Sequence, residues 1–158
     1  MEIKRNSKSF GDVSILIDDE DYLKIKDHGV SLMKVKDAIY ARLSISGNKR
    51  PLLHRYIMNC TDVMQVDHIN HNTLDNRKCN LRICTQKQNL ANRKKSKNKS
   101  SQFKGVYYSK KLGKYVSQYR DGEKKIFNGS FDTEEEAALL YNIHASKKYG
   151  EFALLNTL

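Results

Sequence analysis

Val66 to Asn92 read VDHINHNTLDNRKCNLRICTQKQNLAN, and the rest of the chain is organised around this stretch. An Asp–His pair, Asp67–His68, closes an apolar run of Val63, Met64 and Val66. Asn80–Leu81 comes twelve residues after His68, and Asn89 nine residues after Asn80. Neutral imidazole can take a proton from water near neutral pH, and a carboxylate beside it can hold a hard cation. Such a cation prefers oxygen ligands, so a carboxylate and an amide carbonyl suit it, with water and phosphate filling the remaining positions. On a regular strand the side chains of Asp67 and His68 point to opposite sides. They share one site only at a strand end or a distorted turn, and the turn-forming Asn70, Asn72, Asp75 and Asn76 begin there. The same residues also read as an Asp/Asn turn, a loop-holding Asn and an exposed helical Asn, and spacing alone leaves both readings open.

Downstream, Leu81–Cys84 (LRIC) predicts a short strand. Thr85 as N-cap and Gln88 as its capping-box partner start a helix over Gln86 to about Asn92. Asn89 falls in the second turn, with Arg93 one turn beyond on the same face. Upstream, Pro51 to Asn59 predicts a strand end running into a short helix, with Leu52, Leu53, Tyr56 and Ile57 apolar. His54 in that helix reads as structural, or as a support for the carboxylate or a phosphate. Arg55 reads as solvated or phosphate-directed.

The order D-H, N-L, then N on a helix resembles the HNH nuclease motif, in the form where Asn replaces the last His, as in intron-encoded homing endonucleases of phages and bacteria. Leu53-His54-Arg55 is a further recurrent feature of that family. The resemblance implies a ββα-metal site holding one Mg²⁺ or Mn²⁺. It makes His68 the general base, Asp67 and Asn89 the metal ligands, and Asn80 the central Asn that braces the loop and orients the His. His71 and Asn72 stand where many relatives have Gly and Asp.

Composition sets the outer limits. The 158 residues allow one ordinary domain or two small ones. Lys and Arg outnumber Asp and Glu by 29 to 18, a formal charge of +11, which favours a polyanion and nucleic acid first. No apolar run approaches the roughly 20 residues that span a bilayer, and no charged segment followed by an apolar one opens the chain, so neither membrane insertion nor secretion is expected. Cys60, Cys79 and Cys84 form no C-x-x-C pair, which argues against a disulfide framework or a zinc ribbon.

Residues 1–50 read as β-rich. Val13–Ile17 is a short apolar strand followed by an acidic turn or cap at Asp18 to Asp21. Ile39, Ala41, Leu43 and Ile45 alternate with polar partners, the period of a half-buried strand. Gly47–Asn48 signals a turn within a hairpin. Charges nearly cancel here, so this segment is expected to brace the site rather than to contact DNA. Residues 93–102, RKKSKNKSSQ, contain no apolar side chain, and Arg93, Lys94, Lys95, Lys97 and Lys99 make them a basic, flexible linker suited to phosphates.

The remainder predicts three strands and a helix. The strands run over Lys104–Ser109, Tyr115–Arg120 and Lys124–Phe131, with turns at Leu112–Lys114 and at Asp121–Gly122. Thr133 and Glu136 form a capping box, and Ala137, Leu140, Tyr141, His144 and Ala145 place one helix face on the sheet. Lys147, Lys148 and Gly150 suit the helix end. FKGVYYSKKLGKYVSQYRDGEKKIFNGSFDTEEEAALLYN and the tail EFALLN resemble the APETALA2/ethylene-response-factor DNA-binding domain. In that family the face of the sheet away from the helix enters the major groove. Strand parity places Tyr107, Ser109, Gln118, Arg120, Lys125 and Phe127 on that face, with Lys104 nearby. Tyr115, Ser117, Tyr119 and Ile126 point to the helix. Tyr107 and Ser109 replace family arginines, so the family's base preference does not carry over. Asn128 replaces an inward Leu, which leaves a buried amide in need of a partner.

The expected fold is α+β. It comprises a β-rich N-terminal segment and HNH core over 1–92 (motif 53–92), a linker over 93–102, and an APETALA2-like domain over 103–158. The expected function is metal-dependent cleavage of double-stranded DNA, with one active site per chain nicking one strand, by a monomer or alternatively a dimer, in the cytoplasm of a phage-infected or bacterial cell. The alternatives are a sequence-specific DNA-binding regulator with an inactive nuclease site and an RNA-binding module. The second of these lacks an aromatic RNA-stacking motif.

Overall fold

The computed structural model describes residues 1–95, 100–121 and 124–158. Lys97 and Lys99 of the expected linker and Gly122 of the expected turn lie outside these residues. The contacts divide the chain into two compact units, Met1–Gln86 and Lys87–Leu158. No helix among the described residues is long and apolar enough to cross a membrane.

The first unit is a series of antiparallel hairpins around a small aliphatic core. β1 (Glu2–Ser7) pairs with β2 (Gly11–Leu16), and β3 (Gly29–Val35) with β4 (Ala38–Ser44). The acidic stretch after β2 opens a helix, α1 (Asp19–Ile25), with Asp19, Glu20 and Asp21 in its first turn, where the helix dipole favours negative charge. The expected turn or cap is therefore the start of a full element, and Ile25 at its end is buried.

The hairpin turn between β3 and β4 is Lys36–Asp37, since Val35 pairs with Ala38 and Lys36 has φ +56°. The Gly47–Asn48 signal belongs to the next reversal. Gly47 and Asn48 both have positive φ, and the chain returns along β4 through Ile45 N–H to Lys49 O and Leu43 N–H to Pro51 O. That return feeds α2 (Leu53–Ile57), whose Leu53 is buried with Ile15, Ile17, Ile25, Ala41 and Leu43. Each of the Ile and Leu side chains contributes roughly 1.5–3 kcal/mol by leaving water. The consequence for the site is that α2 cannot rotate, so the residue after Leu53 is pinned too.

β5 (Gln65–His68) and β6 (Leu81–Cys84) form the last hairpin of this unit. Their connection docks on the N-terminal hairpin. Leu16 N–H donates to Leu74 O, and Asn76 N–H to Leu16 O, at 2.9 and 2.8 Å. Asp18 accepts from Lys78 N–H at 2.7 Å, and the Thr73 hydroxyl donates to Ile39 O at 2.5 Å. The N-terminal strands thus hold the connection that carries the motif.

The second unit begins with α3; its full span is Gln86–Asn92. The contact boundary falls after the first residue of α3, whereas composition changes after the helix. Within this unit Ala91 O accepts from Leu154 N–H at 3.1 Å, and Lys95 donates to Val106 O at 2.7 Å and to Phe103 O. β7 (Val106–Ser109), β8 (Lys114–Asp121) and β9 (Lys124–Phe131) form an antiparallel sheet in that order, backed by α4 (Glu134–Tyr149). Val106, Ala137 and Ala138 are its buried centre, with Phe103, Tyr115 and Phe131 against them. α4 opens with a full capping box between Thr133 and Glu136, and Gly150 closes it at φ +54°. Gly105, at φ +75°, must be glycine for a second reason: a Cβ there would stand 1.9 Å from the Tyr141 ring. The tail is tied down by Asn156, which exchanges bonds with Lys104 and with the Asn142 carboxamide.

A bulge interrupts β8 and β9, with Ser117 opposite Gly129 and Gln118 opposite Phe127, so Asn128 is the extra residue. The Asn128 Nδ2 and the Ser117 Oγ are buried without hydrogen-bond partners among the described residues. An unmet buried amide donor costs about 1–3 kcal/mol. Asn128→Leu should therefore raise stability by about that amount, seen as a higher urea midpoint at unchanged m-value. An unchanged or lower midpoint would mean that the amide is satisfied in solution.

Candidate active site

The β5–β6 register sets the site. Asp67 stands opposite Arg82 and His68 opposite Leu81. Cross-strand partners share a face, and Arg82 closes on Asp67 with Nη2 at 2.8 Å and Nε at 3.0 Å from Oδ2. Both side chains are largely buried, at 12% and 7% exposure, so the pair is a buried one in which each group is the other's charge partner. His68 ends the strand and is 6% exposed.

The connection after His68 is closed by asparagines. Asn80 Oδ1 accepts from Asn70 N–H at 2.9 Å, and its Nδ2 donates to Asp75 O at 2.8 Å. Asn70 and Asn72 each fold back on the backbone, at Asn72 N–H and Leu74 N–H. Asp75 is held well below the usual carboxylate range by hydrogen bonds from Arg77, at 2.7 and 2.8 Å. His71 has φ +64°, a conformation that glycine takes without strain.

His68 faces a cluster of rings. The His54 ring meets it edge-on with centroids 4.8 Å apart, and Tyr40 lies 5.6 Å from His54 and 6.2 Å from His68. Burial lowers the His68 pKa below its ordinary value, against the opposing pull of the Asn76 side chain and the charges of Asp67 and Asp75. The imidazole is neutral at pH 7 as a result, the form a general base requires. His54, 5% exposed, is pushed down to about 3 by burial and by the charges of His68 and Arg55. Its Nδ1 has no hydrogen-bond partner among the described residues. Arg55 is neither solvated nor open to a phosphate: it donates to Met64 O at 2.9 Å and Thr61 O at 2.7 Å and clamps the segment leading into β5.

The structure thus brings Asp67, His68 and Asn80 into one hairpin and its connection. It places the Asn80 side chain on the backbone of Asn70 and Asp75, while the carboxamide beside the His68 ring is that of Asn76. Asn89 lies on α3, in the second unit. Residue types and spacing showed neither the Asn76 contact, nor the Arg82 partnership, nor the Tyr40 ring. Only the paired register would have revealed Arg82.

The expected DNA residues divide. Tyr107, Ser109, Gln118, Arg120, Lys125 and Phe127 share the face away from α4, because Arg120 pairs with Lys125 and Gln118 with Phe127, while Tyr119 on the other face stacks on His144 of α4. Tyr107, Arg120, Lys125 and Phe127 are exposed there. Arg93 and Lys94 are exposed beyond α3. Lys95 and Lys104 are half-buried, with their ammonium groups on backbone carbonyls.

Residues 60–91 match the HNH endonuclease family. The matched segment contains Asp67, His68, Asn76, Asn80, Arg82 and Asn89. The chain is also 40% identical, over 94 residues, to a protein named as an uncharacterized HNH endonuclease of Acanthamoeba polyphaga mimivirus. That similarity covers 59% of this chain and 47% of the viral protein, so the chain spans about half the length of the relative it matches. No solved structure matches the chain. Among the described residues no three His, Cys, Asp or Glu side chains gather as a metal cluster. A carboxylate such as that of Asp67 is the donor type a hard cation prefers.

Proposed function

We propose that the chain is a metal-dependent DNA endonuclease of the HNH homing type, cutting one strand of duplex DNA at a site chosen by its C-terminal unit. The observation that carries this reading is a buried, neutral His68 at the end of β5, adjacent to a carboxylate, inside the segment that matches HNH endonucleases. His68 takes the proton from the attacking water. The Asn80-braced connection and the ring cluster keep its imidazole from turning. Asp67 and Asn89 would hold one Mg²⁺ or Mn²⁺. When bound, that cation supplies positive charge toward the scissile phosphate and the leaving oxygen. Arg82 fixes the Asp67 carboxylate through two hydrogen bonds to Oδ2.

The three-stranded sheet backed by one helix supports an APETALA2-like targeting role for the second unit. Its exposed face carries Arg120 and Lys125 beside Tyr107 and Phe127, groups suited to base edges and thymine methyls. Arg120→Ala should cost about 1–3 kcal/mol at the preferred site and much less on other DNA, measured by competition binding. An equal loss on all sequences would leave Arg120 a backbone contact only.

A plasmid carrying a library of source-genome fragments, incubated with Mg²⁺ or Mn²⁺, tests the activity itself. Metal-dependent conversion of supercoiled to open circles is expected. Linear product would require paired active sites, and intact binding without conversion would favour a DNA-binding regulator.

A further inference from the structure

The second unit contains a cleft of about 270 Å³ at the edge of the base-facing sheet, which contributes Gln118, Arg120 and Lys125 to its lining. β7 is shorter than β8, so the end of β8 lacks a strand partner on that side, and the cleft lies along this open edge. Lys87, Leu90 and Ala91 of α3 line one wall. Tyr141, Lys148 and Tyr149 of α4 line another, with Arg120 and Asp121 from β8 and Lys125 from β9 completing it. Lys148 is neutralised by Asp121 at 2.8 Å. Among the described residues, Lys87 and Lys104 are then the cations of the cleft that are not already assigned to base reading. Lys104 is the half-buried member of that group, and its ammonium reaches the neutral Ala91 carbonyl.

We propose that this cleft seats a backbone phosphate of bound duplex DNA, with Lys104 as its innermost cation. The inference rests on the reading that the chain acts on DNA. Charge complementarity selects the occupant: among the described residues the half-buried Lys104 ammonium has a neutral acceptor, Lys87 lines the same cleft, and a phosphate supplies the matching charge. Burial lowers the Lys104 pKa to about 8, so a phosphate arriving there restores its proton. Such a contact fixes the register of the duplex without reading its sequence.

The test is binding of a short duplex of arbitrary sequence across a salt series, with the full-length chain beside Lys104→Met and Lys104→Arg. Lys104→Met should bind roughly tenfold more weakly and lose about 0.9 from the slope of log K against log salt. Lys104→Arg should restore the slope. Near pH 8, calorimetry in buffers of different ionisation enthalpy should show proton uptake by the wild type and by neither variant. Removing a desolvated cation should leave thermal stability intact, and Lys104→Arg keeps the test valid if Lys104→Met fails to fold. A wild-type slope and proton uptake in Lys104→Met would overturn the phosphate seat while leaving the nuclease reading in place. Inorganic phosphate that binds the wild type but not Lys104→Met, with DNA slopes equal, would make the cleft a free-anion site and overturn the assignment to DNA. No duplex binding by the wild type would overturn both the DNA reading and the seat.

Discussion

His68→Ala is expected to lower the cleavage rate by roughly 10²–10⁴-fold, the usual contribution of a positioned general base, and to leave DNA affinity unchanged. The loss should appear in kcat more than in KM, because His68 acts on the attacking water and not on duplex binding. Its buried ring also sets a pH dependence. A base works unprotonated, so the wild-type rate should rise with pH through an acid limb and flatten above it. Because burial lowers the His68 pKa, that limb should lie below the ordinary histidine value of about 6.5. The alanine leaves a cavity beside His54, so circular dichroism should accompany the kinetics. A folded His68→Ala protein that still nicks at the wild-type rate would remove His68 from the mechanism.

Acid should destabilise the N-terminal unit well above the range where carboxylates titrate. His54 is buried and neutral when folded, with a pKa of about 3, whereas the unfolded chain takes up its proton near 6.5. The unfolded state therefore binds more protons throughout that interval, and stability falls as pH falls. The slope is roughly 1.4 kcal/mol per pH unit from His54, with His68 adding in the same direction. The full contribution is present above pH 6.5 and is lost progressively toward about 3. Asp75 also loses stabilisation in acid, but only below the ordinary carboxylate range, so pH 4.5 to 6.5 isolates the histidines. Urea unfolding across that window should show the slope, and His54→Phe, which keeps a ring against His68, should flatten it. An unchanged slope in His54→Phe would mean that His54 is not the buried neutral group.

Much of the C-terminal unit was legible because its determinants are local. Lys124–Phe131 is strand where alternation ends at turn residues, and Thr133 caps α4 because its hydroxyl and the Glu136 carboxylate lie one turn apart on the same chain. The LRIC strand and the helix after it follow the same logic. β1 escaped notice: Glu2–Ser7 is mostly polar and becomes a strand by pairing with β2, a partner whose identity its own residues do not encode. The acidic run at Asp18–Asp21 looked like a cap, and the helix after it is decided by Ile25 entering a core built from distant strands.

The candidate site divides in the same way. Asp67, His68, Asn80 and Asn89 were singled out by the resemblance to the HNH motif, and the Asn-rich connection between Asp67–His68 and Asn80 closes on itself. The sequence by itself thus determined the chemical inventory, the hairpins of the C-terminal sheet and the capped helix. Only the tertiary structure decided that Arg82 sits on Asp67, that His54 and Tyr40 wall in His68, that Asn76 is the amide beside it, and that Lys104 points into a cleft. Each of those depends on strand register or on packing between segments far apart in the chain, and burial there sets protonation and charge exposure that no local pattern carries.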